Sequence, residues 1–277
     1  MTNPLRRALR LTMVGLCVFV SQPIFAVELQ HQTLWWKGAQ VEVVRADRAD
    51  YHLELLLPKE RALQSLDRFY RDAPDAVAIL NAGFFFRDGR PSGFLKSGRW
   101  RGMSTKVRGV LGFDDAVGQQ HIVFDRLYSS HGAVYSMFRG DDWWYQSNFI
   151  IGGAPLLLAS GQAMSFESED MLPSFIHNRY ARSAICLTQS DQLLFILVRG
   201  GDQYSARLGW PSGLSLRDLQ SLLLSLECVD ALNLDGGYSS GMILNGRWVG
   251  GHWLQNVIPR HVANALAIVP NELSSSV

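Results

Sequence analysis

The sequence predicts an α+β protein: a single domain with a β-rich mixed sheet core and two main helices, at about 59–70 and 216–227. Two observations carry this. Short apolar or alternating segments bounded by Gly, Asp, Asn and Ser recur along most of the chain, as half-buried and buried strands do. Only two stretches show an apolar stripe at helical spacing, and no repeat, low-complexity segment or interdomain linker divides the chain.

In order, Gln40 to Arg45 and Tyr51 to Leu57 read as a pair of strands. Pro58 then opens the first helix, with Ala62, Leu63, Leu66, Phe69 and Tyr70 on one face. Ala76 to Leu80 is a short buried strand running into Asn81-Ala-Gly-Phe-Phe-Phe86. Val107 to Phe113, His121 to Phe124 and Trp143 to Ile151 are further candidate strands. Leu156 to Ala159 turns back at Ser160-Gly161, and Ser183 to Thr188 pairs with Leu193 to Arg199 across Gln189 to Gln192. A polar loop, Gly200 to Gly213, precedes the second helix. Ser215 is its N-cap, Asp218 stands three residues on, and Leu216, Leu219, Leu222, Leu223 and Leu226 form its buried face. Val229 to Leu234 is a strand, Asn245-Gly246 makes a two-residue hairpin turn, and Val262 to Val269 closes the fold.

The ends and totals restrict the setting. Residues 1–26 have a basic start (Arg6, Arg7, Arg10), an apolar run Leu11 to Val20 and a small residue at Ala26, the layout of a secretory signal. The chain therefore divides into a signal (1–26), N-terminal strands and helix (27–75), the main domain (76–270) and a tail (271–277), and is expected to be periplasmic or secreted. Without the signal, 23 basic residues face 25 acidic ones, about −2 in net charge, which gives no case for nucleic acid. No stable membrane insertion is expected after cleavage, and oligomeric state is not readable. Cys186 and Cys228 remain, either paired or as buried thiols.

The chemistry gathers at Asn233-Leu-Asp-Gly-Gly-Tyr-Ser-Ser-Gly241. A buried strand ending in Asp235 presents one carboxylate from a rigid base, with Gly236, Gly237, Tyr238, Ser239 and Ser240 beyond it as candidate binding residues. Asp-Gly is also a common turn dipeptide, so the local pattern admits a plain turn. Asn81 and Gly83 repeat the design at a second strand end, and if the two strands are neighbours, Asn81 and Asp235 converge at one sheet edge. Cations stand near other strand ends: His177, Arg179, Arg182, Arg199 and Arg260, of which Arg182, Arg199 and His177 are taken as the substrate-facing set. Trp248, His252 and Trp253 follow closely and offer a stacking wall for a sugar, although core packing is the commoner role for such a Trp. No Gly-x-Ser-x-Gly elbow, phosphate-binding Walker loop or His-Glu-x-x-His pair is present, and the seven histidines are scattered. No metal or organic cofactor is expected, with a single divalent ion held through water left open.

Six pieces in order resemble the phosphodiester glycosidase family: Asn81-Ala-Gly-Phe-Phe-Phe with Pro91-Ser-Gly93; Gly152-Gly-Ala-Pro-Leu156; Arg182-Ser-Ala184; Gly213 to Leu219; Leu234-Asp-Gly-Gly237; and Val262-Ala-Asn-Ala265. The resemblance spans roughly Ala76 to Val269. It implies hydrolysis releasing a sugar from a sugar-1-phosphate diester in an envelope or extracellular glycan. Asp235 would be base or nucleophile and Arg182, with Arg199, the phosphate holder. Asn81 and the Gly236 and Gly237 amides would orient the substrate. Tyr238 stands where the family often has a small residue, which would narrow the pocket or add a stacking surface. A glycan-binding module without catalysis, or a metal-dependent phosphodiesterase, are the rival readings.

Overall fold

The computed structural model describes residues 29–59, 62–114, 119–201, 212–252, 254 and 258–271. Three antiparallel sheets enclose one core. The seven-stranded sheet runs, in space, Gln30–Trp36, Ala39–Asp47, Gln192–Val198, Arg182–Thr188, Cys228–Asn233, Leu156–Ala159 and Gln162–Ala163. A five-stranded sheet is ordered Arg247–Gly251, Gly241–Leu244, Ala78–Asn81, Ala265–Pro270 and Tyr51–Leu56. The third, of six strands, spans Ala133–Ser136, Ile122–Ser130, Arg108–Phe113, Phe149–Gly152, Leu95–Ser97 and Arg99–Gly102. Among the described residues parallel pairing is confined to two isolated bridges, Gly200 with His252 and Gly201 with Ser212.

Strand periodicity lets the seven-stranded sheet bury a separate cluster on each face. On Arg182–Thr188, Ile185 points to a cluster containing Leu80, Leu266 and Met242 from the second sheet and Leu111, Phe113 and Ile151 from the third. Its neighbours Ala184 and Cys186 point the other way, onto the helix Leu216–Ser225. Leu216, Leu219, Leu222 and Leu223 are buried there, a face contributing at most about 6–12 kcal/mol at roughly 1.5–3 kcal/mol per side chain. Ser215 Oγ accepts from Asp218 N (3.1 Å) and donates to its carboxylate (2.7 Å), so the expected cap is in place. Cys186 and Cys228 form a disulfide across adjacent strands, with Cα atoms 5.8 Å apart.

Three sequence expectations change. The first helix is Leu66–Asp72, not 59–70, because Ser65 Oγ caps it at Arg68 N (3.3 Å) while Gln64–Ser65 pairs with His261–Val262. The strands Ala39–Asp47 and Tyr51–Leu56 do not pair with each other. A turn closed by Asp50 N on Asp47 O (3.1 Å) passes the chain from the first sheet to the second. Trp143 and Trp144 lie not on a strand but on the short helix Asp141–Gln146, where Trp144 is buried with Nε1 on Asp125 (3.2 Å); the strand is only Phe149–Gly152. The apolar run looked extended because adjacent tryptophans serve different neighbours. Most of the Gly200–Gly213 loop, Trp253 and the end of the tail lie outside the described residues.

Candidate active site

The strands bearing Asn81 and Asp235 belong to different sheets, so they meet by crossing rather than as neighbours. Asn81 is buried and bridges the crossing: Nδ2 donates to the Asp235 carbonyl (2.7 Å), and Oδ1 accepts from Ser183 Oγ (2.6 Å) and Gly241 N (3.0 Å). Asp235 N returns a bond to Ala82 O (2.8 Å), and Leu234 N bonds Ser183 O (2.8 Å). The backbone of Asp235 is thus clamped from both sides. Asn81 acts on the carboxylate's placement, with both ends of its side chain engaged inside the protein.

Beyond the clamp the chain must turn at once. Gly236 is where a Cβ would lie 3.0 Å from Ala181 O, and Gly237 takes φ 58° to start a 3-10 turn through Ser239. Gly237 N bonds Ala181 O (2.8 Å), while Gly236 N–H and the Ser239 hydroxyl donate to the Asp235 carboxylate. Both glycine amides are therefore used within the protein. Ser240 is buried, its amide on Gly237 O (3.1 Å) and its carbonyl accepting from His252 N (3.2 Å). Desolvation by the surrounding walls raises the Asp235 pKa to about 6, against the Ser239 and Gly236 hydrogen bonds and the charge of Arg260, which lower it. The residue as a whole keeps partial contact with solvent.

Two arginines lie near this turn: Arg260, whose charge acts on the carboxylate, and Arg182, whose Cδ is 3.7 Å from where a Gly236 Cβ would stand. Arg182 is fully buried; Nε donates to Leu214 O (3.1 Å) and Nη2 to Phe175 O (2.7 Å) and Asn178 O (3.3 Å). Its guanidinium lies 4.8 Å from the Phe175 ring centre and 5.1 Å from that of Tyr180, and its Nη1 is buried without a hydrogen-bond partner. Burial lowers its pKa to about 10, which leaves it cationic at neutral pH. Arg260 lies between the rings of Phe85 (5.7 Å) and Tyr238 (5.5 Å), with Nε likewise buried and unpartnered. Tyr238 is fixed by its hydroxyl on Ile258 O (2.7 Å) and stands edge-on to His252. It helps hold a cation as well as shaping the pocket.

Gly83 lies close to Ile151 and Gly152, where a Cβ would come within 2.7 and 2.8 Å, and its amide is on Asn264 Oδ1 (2.6 Å). Asn264 is buried and its Nδ2 has no partner. Arg260 was visible in the sequence as one cation among five. Asn264 has one sequence signal, a polar residue inside the apolar Val262-Ala-Asn-Ala265 run, which does not by itself assign a role. The remaining predicted residues do not join the group. Arg199 Nη1 is on buried Glu42 (3.4 Å), in a groove also lined by His31 and Trp248. His177 is exposed at the end of the helix Pro173–His177, on the segment that covers Arg182. Trp248 packs over Gly241 in the core. Among the described residues no cluster of three or more His, Cys, Asp or Glu could hold a metal.

The turn thus brings together one desolvated carboxylate and two ring-bound arginines, each with a buried donor that has no partner. The chain belongs to the phosphodiester glycosidase family, whose model matches residues 74–269. No curated protein matches it in sequence. Among solved structures it is similar to a hypothetical protein of Synechocystis, with TM-score 0.67 and 19% identity over 88% of this chain and 62% of that one. It is also similar to the catalytic domain of zebrafish N-acetylglucosamine-1-phosphodiester alpha-N-acetylglucosaminidase auto-inhibited by its pro-peptide, with TM-score 0.65 and 14% identity over 88% and 83%. A Burkholderia pseudomallei protein described as exported gives TM-score 0.61 and 16% identity over 84% and 74%. At these identities the likeness is one of fold.

Proposed function

We propose that the protein is a secreted or periplasmic hydrolase that cleaves the glycosidic carbon–oxygen bond of a sugar-1-phosphate diester. The observation that carries this reading is the pair of buried arginine donors, Arg182 Nη1 and Arg260 Nε, left unpartnered around a single desolvated carboxylate. An anion reaching both donors would satisfy them with charge-assisted hydrogen bonds. Family membership and the zebrafish enzyme's fold supply the substrate class. The exported Burkholderia neighbour and the cross-strand disulfide support an oxidising compartment.

In this reading the arginines take the phosphate oxygens and neutralise charge as the bond breaks. Either water attacks the anomeric carbon as Asp235 takes its proton, or Asp235 attacks and water then hydrolyses the glycosyl ester at that carbon; on both routes the sugar keeps the water's oxygen and the phosphate monoester departs with the bonding electrons. The leaving group is already an acid's conjugate base, so the general acid of ordinary glycosidases is not needed. Asp235 serves as base or nucleophile and is competent only when ionised. Asn81 fixes its backbone, and Asn264 holds the Gly83 amide through Oδ1. No cofactor is called for by this scheme.

Turnover of a sugar-1-phosphate diester in water labelled with heavy oxygen tests it, with and without chelator. Label in the free sugar is expected, unaffected by chelation. Label in the phosphate, with activity lost to chelator, would replace the reading with a metal-dependent phosphodiesterase. Binding without turnover would leave a glycan-binding module.

A further inference from the structure

A groove of about 420 Å³ lies beside the site, between the turn following Gly83, the segment Gly152 to Ala154, and residues 170–175. Its walls include Phe84, Phe86, Met171, Leu172 and Phe175. The polar groups at its margin are largely committed. Asp170 is paired with Lys106 (2.6 Å), and Arg108 donates through Nη1 to the carbonyls of Val107 and Glu169. A sugar ring would find few free hydrogen-bonding partners there, whereas a hydrocarbon would find aromatic and aliphatic surface.

The groove is joined to the site twice. Phe175, packed edge-on against Phe84 (6.2 Å), is the ring beneath the Arg182 guanidinium, and its carbonyl accepts from Arg182 Nη2. On the floor, a Cβ at Gly153 would lie 2.3 Å from Asn233 O, and Ala154 exchanges bonds with Asn233, N to O at 2.9 Å and O from Nδ2 at 2.6 Å, two residues before Asp235. The groove thus adjoins both the ring that packs on Arg182 and the strand that leads to Asp235, so a phosphate bound near them would carry its second substituent beside apolar surface. At the outer end Phe86 and Leu172 are 54% and 71% exposed, so a chain longer than the groove can continue outward over apolar surface.

We propose that this groove takes an acyclic hydrocarbon chain carried on the substrate's phosphate, making the protein a hydrolase of glycosyl phosphates of alkyl or isoprenoid alcohols. This rests on the reaction proposed above and specifies its leaving group. Each methylene buried is worth roughly fourfold in affinity, so even partial burial of a six-carbon chain gives at least about tenfold.

The test has a binding arm and a turnover arm. Calorimetry compares methyl, hexyl and phenyl phosphate on the wild-type protein and on the double variant Phe86→Ser, Leu172→Ser, whose sites are exposed. Turnover compares glucose-1-phosphate diesters of methanol and hexanol or their counterparts on another sugar. Hexyl phosphate is expected to bind at least about tenfold tighter than methyl, with the gain largely lost in the double variant. Equal affinity for the two, a gain that survives in the double variant, or a gain for phenyl alone overturns the chain-binding groove. If no diester is cleaved but the hexyl gain is present, the reaction falls and the groove's preference stands. If diesters are cleaved with no chain preference and no hexyl gain, the groove falls and the reaction stands.

Discussion

Replacing Asp235 by Asn separates what the carboxylate does for catalysis from what it costs the fold. Burial raises its pKa from 3.8 to about 6, a shift of about two units at 1.36 kcal/mol each, hence at most about 3 kcal/mol. Because the residue keeps partial solvent contact, and Asn cannot accept both the Ser239 and Gly236 bonds with two oxygens, a net of about 1.5 kcal/mol is the working figure. The sign follows from proton binding. Between pH 4 and 6 the folded protein holds this proton more tightly than the unfolded chain, so stability falls as pH rises through that window and stays lowered above it. The Asn variant escapes that loss. It should unfold about 3–6 °C higher than wild type at about pH 7.5, with the difference shrinking toward zero at about pH 4. Its turnover should fall by about 10³-fold or more. Thermal unfolding at the two pH values, with the disulfide intact, and single-turnover kinetics are the assays. A Tm gain equal at both pH values would show that desolvation of the carboxylate is not its source. Retention of a tenth or more of wild-type activity would remove Asp235 from the chemistry.

Four other outcomes follow from the same geometry. The kcat/KM profile of the wild type should rise with pH through about 6, since the competent form of Asp235 is ionised; an activity that falls across that range would make it an acid instead. Asn81→Ala orphans the Ser183 hydroxyl and the Gly241 amide and frees the Asp235 carbonyl, so denaturant titration should show a loss of about 2–4 kcal/mol. Arg182→Lys should raise KM for the diester by about tenfold or more, measured by initial rates, since the point charge cannot use the planar fork held by Leu214, Phe175 and Asn178. Reducing Cys186–Cys228, which closes a separation of 42 residues, should cost up to about 4 kcal/mol by chain entropy, read as a lower urea midpoint.

The sequence was most informative where a residue's role is local. The helix Leu216–Ser225, its Ser215 cap and the Asn245-Gly246 turn depend on neighbours within a few positions, and periodicity finds them. Partners were less legible. Alternation in Ala39–Asp47 and Tyr51–Leu56 is the same whether they pair with each other or with strands from the far end of the chain. Asn81 and Asp235 were recognised as two strand ends of one design, but nothing local says that their sheets cross or that Asn81 spends its side chain on Asp235's backbone. The arginines show the limit clearly: Arg182 and Arg199 look alike in sequence. Burial on aromatic rings separates one from the other, which is paired to Glu42.

The Asn81 bridge also sets when the site can come into being. It joins residues 154 positions apart, and its Gly241 arm reaches 160. Chain closure of that length is among the last contacts to form, because its entropy must be met before it is rewarded. A chain emerging N-terminus first therefore exposes Asn81, with nothing to bond, until almost all of the domain has followed. The strand pairings of Tyr51–Leu56 and Ala78–Asn81 with Ala265–Pro270 span longer separations still, so the site and the five-stranded sheet mature together, and diester hydrolysis should not recover ahead of sheet structure after refolding.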